Sequence, residues 1–179
     1  MKKTGVLVVL SLVLFVTAQA QSDQERSDLD ELANIAKSLK EKISKEMPGW
    51  TYRSIEPIQG SQLVIIQQWE LGDIVVKIAV TKYRELEQAK STFKDFRTLL
   101  KTQEQASVRN QHMQLHLIKE ELSTLGDEGL VADVRGSEAV AFRKGQFLVD
   151  ISVPRPETNK DGFFSRKFAE HVARVLELQ

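Results

Sequence analysis

Ile74-Val75-Val76-Lys77-Ile78-Ala79-Val80-Thr81 decides how this chain is read. Ile74, Val76, Ile78 and Val80 fall on one side of an extended backbone, with Val75, Lys77, Ala79 and Thr81 on the other. That period of two predicts a strand with one well-buried face. Leu71-Gly72-Asp73 before it is a turn signal, and the stretch from Gln62 to Trp69 is rich in branched and aromatic residues. The two runs therefore predict a β-hairpin. A shift of 73 residues carries Gly72 onto Gly145 without a gap, Val76 onto Val149, Ile78 onto Ile151 and Val80 onto Val153. Each hairpin precedes an apolar stripe containing Phe. The halves thus read as an internal ββα duplication, about 62–105 and about 130–178; the alternative is that any two β-hairpins look alike over ten residues. Neither unit buries both its sheet face and its helix alone, so the pair implies a shared core.

Outward from the hairpins, Leu86, Ala89, Phe93, Phe96 and Leu100 mark a helix from Arg84 to about Gln105, followed by a polar loop to Gln111. Met113, Leu115 and Leu117 alternate with Gln114, His116 and Ile118, which predicts a strand. Short strands follow over 130–134, 139–143 and 147–153, and Phe164, Phe168, Val172, Val175 and Leu176 stripe a closing helix. Upstream, Leu32, Ile35, Ala36, Leu39, Ile43 and Met47 predict a helix over 27–46, started at Ser27 and stopped by Pro48-Gly49. Trp50 to Ile55 reads as one more strand. The expectation is one α+β domain over 21–179, an antiparallel sheet of about six strands with two or three packed helices.

The first 20 residues carry an address. Met1-Lys2-Lys3 is basic, Gly5 to Val16 is apolar and uncharged, and Ala18-Gln19-Ala20 puts small residues where a signal peptidase cuts. The apolar core stops short of the roughly 20 residues a spanning helix needs. The reading is a cleaved signal peptide of bacterial character, a mature chain from Gln21, and a periplasmic or extracellular address. There is no Cys, which excludes a lipobox anchor, disulfides and thiolate metal sites. Lys plus Arg and Asp plus Glu both number 25, and loss of Lys2 and Lys3 leaves a slightly acidic protein. That balance argues against nucleic acid as a partner. No later segment reads as a membrane span.

Chemistry is sparse. His112, His116 and Glu120 are spaced for zinc on a helix. On the strand predicted there, four residues span roughly 13 Å, too far for one metal, so no metal is assigned. His171 reads as a surface or rim residue. Gly126-Asp127-Glu128-Gly129 offers two carboxylates, too few for calcium, and reads as a turn launching a strand. Lys77 and Asp150, matched by the same shift, would pair across the sheet if the hairpins are neighbours. Trp50, Tyr52, Trp69 and Tyr83 fall at strand ends and are the candidate binding residues for a ligand or partner; the alternative is that they plug the edge of a core. The chain holds no G-x-S-x-G elbow, no H-E-x-x-H, no P-loop and no dinucleotide fingerprint, and no catalytic residue or cofactor is assigned.

Leu125-Gly126-Asp127-Glu128-Gly129, then Phe142-Arg143-Lys144-Gly145-Gln146-Phe147-Leu148-Val149 and a C-terminal helix, resembles a pattern in small uncharacterised exported bacterial proteins, with Gln146 in place of the usual Asn. The order of elements resembles the antiparallel sandwiches of the PsbP and Mog1 type. Neither resemblance implies an activity. The expected function is a non-catalytic exported binding or interaction module for an envelope protein or small ligand. A small-molecule or lipid carrier with an apolar cavity, and a hydrolase or metalloprotein using His112 and His116, stay open as alternatives.

Overall fold

The computed structural model describes the backbone of residues 5–55, 63–109, 118–134, 137–154 and 163–178. Along the chain lie α1 (Gly5–Glu46), β1 (Thr51–Ile55), β2 (Leu63–Leu71), β3 (Ile74–Lys82), α2 (Leu86–Arg109), β4 (Ile118–Leu122), β5 (Glu128–Val134), β6 (Ser137–Lys144), β7 (Phe147–Pro154) and α3 (Phe163–Leu176). The strands form one antiparallel sheet of seven in the order β1-β2-β3-β7-β6-β5-β4. The fold is α+β, with one strand more than the sequence pattern suggests. The strand expected over Met113–Ile118 lies outside the described residues up to Ile118, where β4 begins. Charge in Lys119-Glu120-Glu121 and a bulge between Ile118 and Glu120 suit an edge that must not recruit another chain.

The 73-residue correspondence has a geometric form in the strands. Trp69 pairs with Val76 in the first hairpin, and Phe142 pairs with Val149 in the second, 73 residues on. Gly72 and Gly145 occupy the two turns with φ of 57° and 55°, a left-handed conformation that favours glycine. The hairpins meet through β3 and β7, where Ile78 pairs with its own shifted image, Ile151. A local twofold axis through that pair and normal to the sheet relates the hairpins. Such an axis would put α2 and α3 on one face, and they lie on opposite faces. α1 and α3 share the face of Ile65, Trp69, Val76, Ile78, Val149, Ile151 and Val140. The Phe93 and Leu100 side chains of α2 pack on Leu130, Ala132 and Ala141 of the other. With α1 already on the first face, the repeat is kept in the strands and broken in the helices.

α1 runs unbroken from Gly5, so Ser27 is not its start. Leu32, Ile35, Leu39, Ile43 and Met47 are all buried, as the stripe requires. At about 1.5–3 kcal/mol for each fully buried large apolar side chain, this face dominates the attachment of α1. Two polar ties fix its register. Gln67 donates from Nε2 to the Ala36 carbonyl at 2.8 Å. Lys82 Nζ donates to Asp28 Oδ1 at 2.6 Å and also pairs with Glu31. α2 extends to Arg109, through residues expected to be a loop. Among the described residues, no helix is long and apolar enough to cross a membrane.

Gly126 and Gly72 make a controlled pair. Both have positive φ, but a Cβ at Gly126 would collide with the Arg143 carbonyl oxygen, whereas one at Gly72 meets nothing within 4 Å. Gly72→Ala is expected to cost about 1 kcal/mol from backbone strain alone, and Gly126→Ala about 2–3 kcal/mol from strain plus collision. Paired denaturant titrations check the ordering; equal costs would contradict the close approach.

Candidate functional site

Residue parity sorts the sheet into two faces. Ile65, Gln67 and Trp69 of β2 point under α1, and Val64, Ile66, Gln68 and Glu70 therefore point to the other side. The same side carries Val75, Lys77, Ala79 and Thr81 of β3 and Leu148, Asp150 and Ser152 of β7. α2 packs over β5, β6 and the Leu148 row. Among the described residues, the apolar side chains that cluster with α2 come from β4–β7, and none comes from β1–β3. The result is a strip about one helix wide, with half-buried Val64, Ile66 and Val75 framing two exposed charges, Lys77 and Asp150.

Ala79 and Ala141 flank Asp150 in the register, so small side chains stand on both sides of the carboxylate. Asp150 keeps a solvent-exposed surface, yet the protein packed around it desolvates its carboxylate and pushes its pKa above the usual aspartate value. Lys77 lies opposite Ser152, one step diagonal from Asp150. Among the described residues, no ion pair or hydrogen bond joins Lys77 to Asp150, so the pairing expected from the sequence is not made. Arg53 and Glu70, by contrast, pair with each other at 3.3 Å.

Three of the four candidate aromatics come together, on the opposite face. Trp69 is fully enclosed and donates from Nε1 to Gln67 at 3.3 Å. Tyr52 stacks edge-on against it with centroids 5.2 Å apart, under Lys40 Nζ at 4.7 Å. Trp50 sets its ring against Phe164 at 5.3 Å and Phe168 at 4.9 Å. This cluster closes the core where β1 meets α3. Tyr83 sits beyond the other end of β3, its N–H donating to the Gln146 carbonyl at 2.9 Å. His112 and His116 lie outside the described residues. Among the described residues, no group of three His, Cys, Asp or Glu could hold a metal ion.

The G-D-E-G turn and the R-K-G hairpin are parts of one device. Arg143 is buried and donates from Nε to Glu128 at 2.7 Å and from Nη1 to Asp127 at 2.8 Å and to the Gly145 carbonyl at 2.9 Å. Asp127 Oδ2 also accepts the Gly145 N–H at 2.9 Å, and the Asp127 N–H donates to the Arg143 carbonyl at 2.7 Å. The carboxylates are thus engaged in clamping the β6–β7 hairpin. Ser91-Thr92-Phe93-Lys94 contains a Ser-x-x-Lys spacing. Both polar side chains of the pair are exposed to solvent on α2, with Phe93 buried in the core between them.

His171 is a correction to the sequence reading. It is 2% exposed, wedged between α3 and the end of α1. The stripe on α3 leaves it on a shoulder, and only the fold shows that α1 covers that shoulder.

Together these features define an α+β protein whose antiparallel sheet carries, among the described residues, two helices on one face and one helix on part of the other. No protein-family model and no curated protein matches the chain. A crystal structure of a GTP-binding regulator from Thermotoga maritima is similar at 18% identity, covering 81% of this chain and 91% of that one, with a TM-score of 0.43. The resemblances to small exported proteins and to the PsbP and Mog1 type find no support in these comparisons.

Proposed function

We propose that the chain is an exported, non-catalytic binding module that takes a segment of a partner protein onto the β1–β3 strip. The observation that carries this reading is the strip itself, a run of half-buried Val64, Ile66 and Val75 that joins neither helix-packed core cluster among the described residues. A sheet face that is apolar on both sides is normally covered on both sides. Lys77 and Asp150, unpaired among the described residues, supply charges that would fix the register of the occupant. Export is supported by the basic start, short apolar core and Ala18-Gln19-Ala20 of the leader.

The test uses the full chain in its native host. Fractionation should place a protein beginning at Gln21 outside the cytoplasm. In-cell cross-linking should give an adduct that falls at least tenfold for Lys77→Glu and is unchanged for Lys101→Glu on the exposed side of α2. Lys77→Glu should leave the Tm within about 2 °C, since exposed substitutions change stability by about 0.5 kcal/mol or less. Equal adducts from both variants would refute the strip as the docking surface. A cytoplasmic, uncut chain would refute export.

A further inference from the structure

We propose that His171 is an acid-sensitive latch between the end of α1 and α3, whose protonation loosens the Met47–Trp50 connection into β1. Its Nδ1 lies 3.2 Å from Glu46 Oε2, on the last residue of α1, and 3.2 Å from Arg174 Nη2, one turn along α3. Arg174 Nη1 is also 3.6 Å from Glu46, so one carboxylate faces both a guanidinium and an imidazole. Among the described residues, the other ring nitrogen, Nε2, is buried and has no hydrogen-bond partner. In either neutral tautomer it leaves one buried polar atom unsatisfied, and in the protonated ring it carries an unmatched N–H.

The charged groups acting on the ring are Arg174 and Lys167 of α3, and Glu46 and Lys42 of α1. Burial first, then Arg174, Lys42 and Lys167, push its pKa below the ordinary histidine value of 6.5, and Glu46 alone opposes them. The folded state therefore binds fewer protons than the unfolded state just below pH 6.5. The latch stabilises the fold above that pH and weakens as pH falls toward the lowered value. The five buried side chains from Leu32 to Met47 keep the body of α1 in place, so the loosening is local. It falls on the turn at Pro48-Gly49 and on Trp50, whose ring rests on Phe168, one turn before His171.

Thermal unfolding between pH 7.5 and 5.5, read with Trp emission and with amide exchange over 47–50, tests this. The native chain should lose about 2–4 °C of Tm more than His171→Phe across that range, with exchange over 47–50 rising ahead of the core. Glu46→Gln, which removes the one group favouring the charged ring, should steepen the loss. Arg174→Gln, which removes a like charge, should flatten it. Those two variants substitute half-exposed or exposed residues and remain informative if His171→Phe folds poorly. An unchanged pH slope in His171→Phe, or a shift of the same sign in Glu46→Gln and Arg174→Gln, would overturn the latch.

Discussion

Arg143→Met is expected to lower stability by about 3–4 kcal/mol. Breaking a buried ion pair by removing one partner typically costs about 3–5 kcal/mol, because the charge left behind is uncompensated. Here the Arg143 side chain is 7% exposed, but Asp127 is 41% and Glu128 29% exposed, so water recovers part of the loss and the expected cost sits at the lower end. The Gly145 carbonyl and N–H would also lose the arrangement that ties the β6–β7 turn to the β4–β5 turn. For a chain of this size the Tm should drop by about 6–16 °C. Arg143→Lys restores the charge without the planar fork that reaches Glu128 through Nε and Asp127 through Nη1, so it should recover less than half of the loss. Full recovery by lysine would show that charge alone matters and that the fork geometry does not.

Trp69→Ala should cost about 3–5 kcal/mol, the range for removing a large aromatic from a core. Trp69 is fully buried, meets Tyr52 and Phe168, and gives its indole N–H to Gln67. The structure predicts a smaller cost for Trp50→Ala, about 2 kcal/mol, because that ring is only half-buried at the mouth of the same cluster. Denaturant unfolding of the two variants separates a core plug from a surface binding pair. Loss of binding with little loss of stability in Trp69→Ala would contradict the enclosure described here. Either loss is a large share of the about 5–15 kcal/mol that holds a typical domain together.

Much of this fold is legible in the sequence because its signal is local. The period-two runs around Val76 and Val149, with glycines at 72 and 145, specify both hairpins and their register. The stripe from Leu32 to Met47 specifies the buried face of α1. What is not legible depends on contacts between distant segments. β4 carries Lys119-Glu120-Glu121, and nothing local tells an edge strand of that composition from a loop. His171 looks peripheral on its own helix and is buried only because Glu46 and its neighbours close over it. The candidate site is hidden for a related reason. β3 is apolar on both sides, through Val76, Ile78 and Val80 on one and Val75 and Ala79 on the other, so both faces predict cover. No local pattern says that α2 packs on β5–β7 and, among the described residues, not on Ile66 or Lys77. The G-D-E-G and R-K-G motifs were visible, but their meaning was not. Asp127 and Arg143 are 16 residues apart, and their pairing is a property of the sheet register.

The most direct measurement is site-specific photo-cross-linking in the living host, with the reactive group placed at position 66 in the strip and, separately, at position 101 on the exposed side of α2. If the β1–β3 strip holds a partner segment, position 66 gives a discrete adduct, position 101 gives none, and Lys77→Glu abolishes the first. Adducts from both positions, or from neither, would contradict the claim that this half of the sheet is where the protein binds.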